Sequence, residues 1–482
     1  MKIFTYFIQQ KLCQCITSEK KLNNAKESFT TPFSQAAKPV PICELTEIRT
    51  ILPIFNIFNR RNVLLLNHIF SNLTKVHCMM SVNLDNGEPP LKKFQPAKVK
   101  RKRVAIREKL QCEAMVQSPP YFTENGLRKV RPYWFHYYVF AKKRWFGRRL
   151  VDVLQAELYN PIGNFFEEAI LAGRVTVNGQ PTTVDYVVEN GDLIRHMCHR
   201  HELPVLDSAV DIVADTEDIL VVNKPCSIPV HPCGRYHFNS LVLYLKHIGG
   251  MDNLKTFHRL DRLTSGLVIF LKNEKIEKQL RQQMIENQIK KEYLCLVDGE
   301  FPDEEIVCDK PLDVLSQSMG IMYITPDGKP SLTKFYKLFS DGKTSILKCC
   351  PETGRTHQIR VHLQYLGYPI VNDYIYNSDA FGPNKGKLCD YGKSLDELRE
   401  VVKTCFTAEK WIDRKSSVDP TKFENCSWFN ADCHFCCTKF LDPNPSDLQM
   451  YLHCFRYSGL EWSYETPLPR WAQILKETNI HI

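Results

Sequence analysis

Apolar residues recur with two different periods along this chain, and the change from one to the other outlines its elements. Residues 1–118 show neither period: they mix Asn, Ser, Thr and Lys with short apolar clusters and read as a mostly disordered, basic N-terminal extension. Order begins at Tyr121. In NFFEEAILAGRVTVNGQ an amphipathic helix over Phe165 to Ala172 stops at Gly173, RVTV follows as a strand, Asn178 and Gly179 supply a turn dipeptide, and a second strand ends at Gly191 and Asp192. Further on, DILVVNK and LVIFLK read as strands, and EKIEKQLRQQMIENQ, 274–288, reads as a helix. LTKFYKLFS and KTSILKCCP flank Asp341 and Gly342, which predicts a hairpin. In THQIRVHLQYLG the positions Ile359, His362, Leu363 and Leu366 keep helical spacing, with Thr356 as cap and Gly367 and Pro369 as the stop. Many strands with few helices, not strictly alternating, predict an α+β fold on a large mixed sheet.

Composition adds size and compartment. The chain has 482 residues, 43% of them apolar, enough for two or three structural units. Its 19 cysteines form no spaced framework, and adjacent pairs such as Cys349 with Cys350 and Cys436 with Cys437 suit reduced thiols in an intracellular compartment. The run KVKRKR at 98–103 fits a nuclear import signal or a phosphate-attracting arm. Nucleus or cytoplasm is expected, with a mitochondrial presequence the alternative and Met79 or Met80 as alternative starts. The apolar runs ILPIF and VLLL fall far short of a membrane span, which needs roughly 20 residues.

Charge then points to a partner. The net charge is +9, yet residues 92–149 alone hold 17 Lys or Arg against 3 Asp or Glu, so the remainder is net acidic. Tyr133, Trp134, Phe135, Tyr137, Tyr138, Phe140, Trp145 and Phe146 interleave with this block. Such a mixture suits phosphate contacts with stacking on bases, or a solvated tail leading into an aromatic core segment.

The candidate chemistry centres on HRLDRLTSGLVIF, 258–270, which sets Asp261 between Arg259 and Arg262 ahead of an apolar strand. An acid so placed is either salt-bridged scaffolding or a nucleophile. Arg355 falls at the expected helix N-terminus, where the dipole disfavours a cation, so it should have a compensating anion, Asp261 or an RNA phosphate, unless it faces solvent and feels little of the dipole. No Walker loop, dinucleotide fingerprint or HExxH occurs, and no cofactor is expected. Cys433 and Cys436 make one CxxC; with no second CxxC or HxxxH nearby they are weak metal candidates, and no metal is expected.

HRLDRLTSG resembles the catalytic loop of RluA-type pseudouridine synthases, and two later segments repeat the resemblance in order. In IKKEYLCLVDG, 289–299, Tyr293 matches the family's active-site tyrosine; in PETGRTHQIRVHLQYLGYPI, 351–370, Arg355 matches its basic partner. VVNKPCSIPVHPCG, 221–234, is similar to the first conserved loop, with Ser227 where the family usually has glycine, and Leu452 with His453 match a closing LH motif. Residues 121–158 resemble the eukaryotic RNA pseudouridylate synthase domain-containing protein 2 branch, and 164–197 look like an S4-type RNA-binding module, against which stands a generic helix and hairpin cap. The resemblance implies a pseudouridine synthase fold with a mostly antiparallel sheet. It also implies an aromatic and basic segment with an S4-like module over 119–205, and a catalytic domain over 206–475 carrying a Cys-rich insertion at 376–440. It implies uridine isomerisation in RNA (transfer RNA or messenger RNA) by a monomer that meets no membrane. Asp261, Tyr293 and Arg355 would be catalytic, with Tyr293 packing on uracil and available as general base. RNA contacts would come from Arg259, which fills the space of the extruded base, and from Arg262, Arg360, Arg174, Lys142, Lys143 and Arg144. The alternatives are a non-catalytic RNA-binding protein that keeps the fold, and a deaminase fusion, whose zinc-bound HxE and PCxxC strings are absent.

Overall fold

The structure is a computed structural model that describes Ile106 and residues 119–482, apart from 159–163, 318, 407–411, 424 and 481. The expectations for residues 1–118 lie outside the described residues. Two small sheets open the ordered chain. Strands β1 (Tyr121–Glu124), β2 (Leu127–Val130) and β3 (Tyr133–Phe140) precede helices α1 (Leu150–Glu157) and α2 (Phe165–Leu171). Then come β4 (Val175–Val177), β5 (Gln180–Pro181), β6 (Leu193–Arg200) and β7 (Val205–Leu206). They pair in the orders β1-β2-β7 and β3-β6-β4-β5.

Helix α2, strand β4 and the turn at Asn178 and Gly179, with φ of 52° and 82°, stand where the sequence places them. The second strand differs. β5 is only two residues long, and the chain after Gly191 and Asp192 begins β6, which pairs with both β3 and β4. Trp145, Leu150, Leu154, Phe166, Ile170, Val175 and Ile194 form the core beneath α1 and α2. In the aromatic block Tyr133, Phe135 and Trp145 are buried, Tyr137, Tyr138, Phe140 and Phe146 are half-buried, and Trp134 is 41% exposed.

The rest of the chain builds one ten-stranded sheet. Its members begin with β8 (Asp211–Asp215) and β9 (Ile219–Lys224), then helix α3 (Leu241–His247), β10 (Lys255–Thr256), β11 (Ser265–Leu271), α4 (Glu274–Ile285) and β12 (Lys290–Asp298). β13 (Ile306–Cys308), the side hairpin β14 (Leu312–Ser316) and β15 (Ile321–Ile324), then β16 (Thr333–Ser340), β17 (Thr344–Pro351) and α5 (Gln358–Leu366) follow. The insertion contributes α6 (Leu395–Cys405) and the pair β18 (Ile412–Ser417) and β19 (Thr438–Phe440); β20 (Leu452–Ser458), β21 (Ser463–Glu465) and α7 (Ile474–Glu477) close the chain.

The main order is β13-β16-β17-β12-β20-β11-β9-β8, with β10 beside β11 and β21 beside β20. Only β11 with β20 runs parallel, so the sheet is mixed and mostly antiparallel. Leu267 to Leu271 are buried on both faces of β11, each apolar side chain contributing about 1.5–3 kcal/mol, which makes this strand the keel of the core. Asp341 accepts from the Lys343 and Thr344 amides at 2.9 and 2.7 Å and turns β16 into β17. In the insertion, Ser394 and Glu397 form a capping box on α6, whose Leu398 and Val402 pack against Val361 of α5. Among the described residues no helix is long and apolar enough to cross a membrane.

Candidate active site

Asp261 lies in the loop that delivers the chain into β11, and the packing of that loop explains its sequence. The Thr264 amide donates to the Asp261 carbonyl at 3.2 Å, closing a turn. Gly266 then runs so close to β20, with φ of 108°, that a Cβ would meet the Cys454 carbonyl oxygen at 2.2 Å. No side chain fits there. Ser265 meets His453 Nδ1 at 2.8 Å, and His453 Nε2 meets Thr466 Oγ1 at 2.6 Å, which ties the LH motif to the loop.

The first conserved loop is fastened from the other side. Lys224, fully buried, donates to the carbonyls of Pro225, Ile228 and Arg262 at 2.9, 2.8 and 3.1 Å. Burial pulls its amine down to about 7, whereas three carbonyls call for the three N–H of an ammonium, and these acceptors favour the charged form. Ser227 has φ of 73°, the left-handed region that explains the usual glycine. Its hydroxyl compensates by accepting the Leu206 amide of β7 at 2.8 Å.

The carboxylate's cationic partner is Arg360. Arg360 Nη1 stands 3.4 Å from Asp261 Oδ2, while its Nε and Nη2 grip Asp373 at 2.6 and 2.8 Å. Asp373, 1% exposed, also accepts from the Ile375 and Tyr376 amides at 3.0 and 3.1 Å, and the Tyr376 ring lies 4.8 Å from the guanidinium. This corrects two sequence-based expectations. Arg355 is exposed on the cleft rim and donates to the Pro330 carbonyl at 3.0 Å, so Asp261 is not its anion. Arg360, expected at the RNA surface, is only 4% exposed and committed to two carboxylates. The helix is also later than expected: α5 begins at Gln358, whose side chain accepts the Arg355 amide at 3.0 Å, and Thr356 does not cap it.

Burial pushes the Asp261 carboxyl up, and the opposing His357, Arg360 and Arg259 bring it below its ordinary value. His357 is itself held at about 4 by burial, hence neutral near pH 7, so there the charges that keep Asp261 ionised are the guanidinium ones. His357 has φ of 57° and donor or acceptor contact with Tyr376 Oη at 2.8 Å, which aims Nε2 to 3.7 Å from Asp261 Oδ2. Asp373 was not singled out from the sequence.

Asp261, Tyr293, Arg355 and Arg360 line one cleft of about 1120 Å³, with Arg259, Lys290, Lys291 and Lys334 around it. Tyr293 sits on β12 at a bulge. Burial pushes its phenol well above the ordinary value, so it stays protonated near pH 7 and suits packing better than proton removal. His258 stacks on Tyr457 at 4.3 Å. Arg259 is exposed at the cleft, whereas Arg262 lies over the Tyr236 ring at 5.4 Å and supports the turn. None of Arg174, Lys142, Lys143 and Arg144 lines the cleft. Arg144 pairs with Glu157, Lys142 lies 3.7 Å from the same carboxylate, Lys143 is exposed, and Arg174 Nε is buried without a hydrogen-bond partner. The CxxC does not stand alone: His199 and His201 meet Cys433 and Cys436, so the second ligand pair missing from the local sequence comes from the end of β6.

Known proteins resemble the chain over most of this region. Residues 218–365 match the family model of RNA pseudouridylate synthase. Pseudouridylate synthase RPUSD2 of Mus musculus is 36% identical over 402 residues, covering 73% of this chain and 73% of its own length. The mitochondrial tRNA pseudouridine(32) synthase of Saccharomyces cerevisiae is 37% identical, covering 72% of this chain and 78% of its own. An uncharacterised protein of Caenorhabditis elegans is 40% identical over 75% of this chain and 88% of its own. With a catalytic-loop carboxylate held ionised in a basic cleft, and with relatives of this identity and coverage, the chain belongs to the RluA-type RNA pseudouridylate synthase family.

Proposed function

We propose that this protein isomerises uridines in RNA, transfer RNA foremost, to pseudouridine with Asp261 at the reacting carbon. One observation carries the reading: Asp261 is held as a carboxylate by Arg360, itself fixed by Asp373, at the floor of a cleft ringed by lysine and arginine. In the reaction the N1–C1′ bond of uridine breaks, uracil turns over, C5 bonds to C1′, and the C5 proton is replaced by one at N1. Nothing is gained or lost, so the reaction itself calls for no nucleotide or redox partner. Asp261 attacks or electrostatically stabilises C1′. Tyr293 packs against the base. A stacked uridine hides these atoms, so it is extruded, and Arg259 on the cleft is placed to fill its space. Arg355 at the rim, with no ion pair among the described residues, takes a backbone phosphate.

The names of the yeast relatives support transfer RNA as substrate, and one of them also supports a mitochondrial address within an intracellular assignment. We read residues 119–205 as the aromatic and basic segment with an S4-like RNA-binding module, 206–475 as the catalytic domain and 376–440 as its insertion. The succession α1, α2, hairpin β4–β5 supports the module, and Lys142, Lys143, Arg144 and Arg174 are its phosphate contacts. Arg262 supports the catalytic turn and RNA contact is not needed of it.

Asp261→Asn tests the reading. It should lower pseudouridine formation on transfer RNA by about 10⁴-fold or more while RNA affinity changes no more than about threefold. Product formed at the wild-type rate by that variant would overturn the mechanism. Mapping pseudouridine across cellular RNA with and without the protein identifies the uridine.

A further inference from the structure

Four side chains outside the cleft converge on one point. His199 stands near the end of β6 and His201 just past it, so alternation along an extended strand turns both rings to the same side, away from Arg200 between them. Facing them, Cys433 and Cys436 sit on consecutive turns: the Cys433 amide donates to the Asn430 carbonyl at 3.0 Å and the Cys436 amide to the Cys433 carbonyl at 2.9 Å. His201 Nε2 lies 3.5 Å from each sulfur, and His199 Nδ1 lies 3.4 Å from Cys436 Sγ. All four ligand atoms fall within 4.8 Å of one another.

These separations match the edges of a coordination tetrahedron. With Zn–N near 2.0–2.1 Å and Zn–S near 2.3 Å, tetrahedral angles place a nitrogen and a sulfur ~3.5 Å apart. Pairwise hydrogen bonding accounts for the arrangement less well, because His201 Nε2 faces two sulfurs and Cys436 Sγ faces two ring nitrogens. A cation instead takes one lone pair from each of the four. The Asn430 amide points at Cys436 Sγ from 3.4 Å, a contact that stabilises a thiolate. Phe435 lies against His201 and Trp134 against His199, at 5.7 and 5.1 Å between ring centres, giving the site an apolar wall. Two imidazoles with two thiolates and no carboxylate favour zinc over magnesium or calcium. Four protein ligands leave no open position for substrate, and none of the four lines the cleft.

We propose that His199, His201, Cys433 and Cys436 bind one structural zinc ion that fastens the Cys-rich insertion to strand β6 of the small module. The ligands come from segments 232 residues apart, so the ion is a cross-link between them. A contact beside it runs the same way: Arg131 lies over Trp428 at 4.8 Å, and Lys129 pairs with Asp442, just past the insertion, at 2.7 Å. The ion thus sets how the small module and the insertion are held together.

Metal analysis of the purified full chain should find about one zinc per protein. Exchange into Co²⁺ should give the visible bands of tetrahedral cobalt together with a near-ultraviolet sulfur-to-cobalt band. The Cys433→Ser, Cys436→Ser double variant should lose zinc by about tenfold or more, whereas Cys437→Ser keeps it. Wild-type protein without zinc and without the cobalt spectrum would overturn the proposal whether or not the double variant folds. Full zinc retention by a folded double variant would overturn the ligand assignment.

Discussion

The cleft around Asp261 and the cluster of His199, His201, Cys433 and Cys436 are both convergences of polar side chains, assembled on opposite principles. In the cleft the groups are hard and charged, and those on its floor are paired: Asp261 with Arg360, Arg360 with Asp373. Asp261 and Arg360 sit on motifs 99 residues apart, which the fold brings to one cleft. In the cluster the groups are soft nitrogen and sulfur donors, and they come from two short spacings far apart in the chain. A charge network holds itself closed, whereas a set of four lone pairs needs a cation at its centre. The cleft is therefore complete in its side chains, and the cluster is complete only with an ion.

The largest effect that sharpens this contrast is expected from the arginine exchange. Arg360→Met strands two buried carboxylates, which should cost about 3–5 kcal/mol of stability and on the order of 10²-fold or more in single-turnover pseudouridine formation. Arg355→Met should leave the chemical step within about threefold and reduce the salt dependence of RNA binding by about one unit of slope. Equal losses of turnover in the two variants would return Arg355 to the carboxylate's side.

Acid should come next, and it attacks buried histidines that burial holds neutral. His196, His357, His362 and His453 are pulled down to about 4, and His237 and His258 to about 3. Below pH ~6.5 the unfolded chain takes up protons at these positions and the folded chain does not, so stability falls as pH drops from ~6.5 towards ~4. Each histidine adds up to about 1.4 kcal/mol per pH unit. The lowered carboxyls of Asp261 and Asp373 add loss only beneath their ordinary values near 3.9. Melting temperatures from pH 8 to 4.5 check this; a flat profile between pH 6.5 and 5 would contradict it.

Ser227→Gly should be the smallest change. It relieves a left-handed backbone worth about 1 kcal/mol and removes the hydroxyl that satisfies the Leu206 amide, also worth about 1 kcal/mol. A shift in melting temperature beyond about 3 °C would show that one of the two dominates.

Much of this architecture was legible before any coordinates. The helix α2, strand β4, the Asp341 and Gly342 hairpin and the mixed sheet followed from local periodicity and turn chemistry, because such patterns are decided within a few residues. The glycine of the catalytic loop and the serine that replaces a glycine in the first loop were visible as residue choices. Their reasons, a β20 carbonyl and a β7 amide, were not.

The chain alone pointed to Asp261 and Tyr293 as members of one site, and both line one cleft. Which arginine meets the carboxylate was a different matter. Arg355 and Arg360 differ by five positions, and the late start of α5 turns the first to the rim and the second inward. Likewise HxH and CxxC are each too short to signify a metal, and only the packing of the insertion against β6 puts four ligand atoms within 4.8 Å. Local sequence specifies what is decided by neighbours in the chain; pairings between distant segments are decided by the core that forces them together.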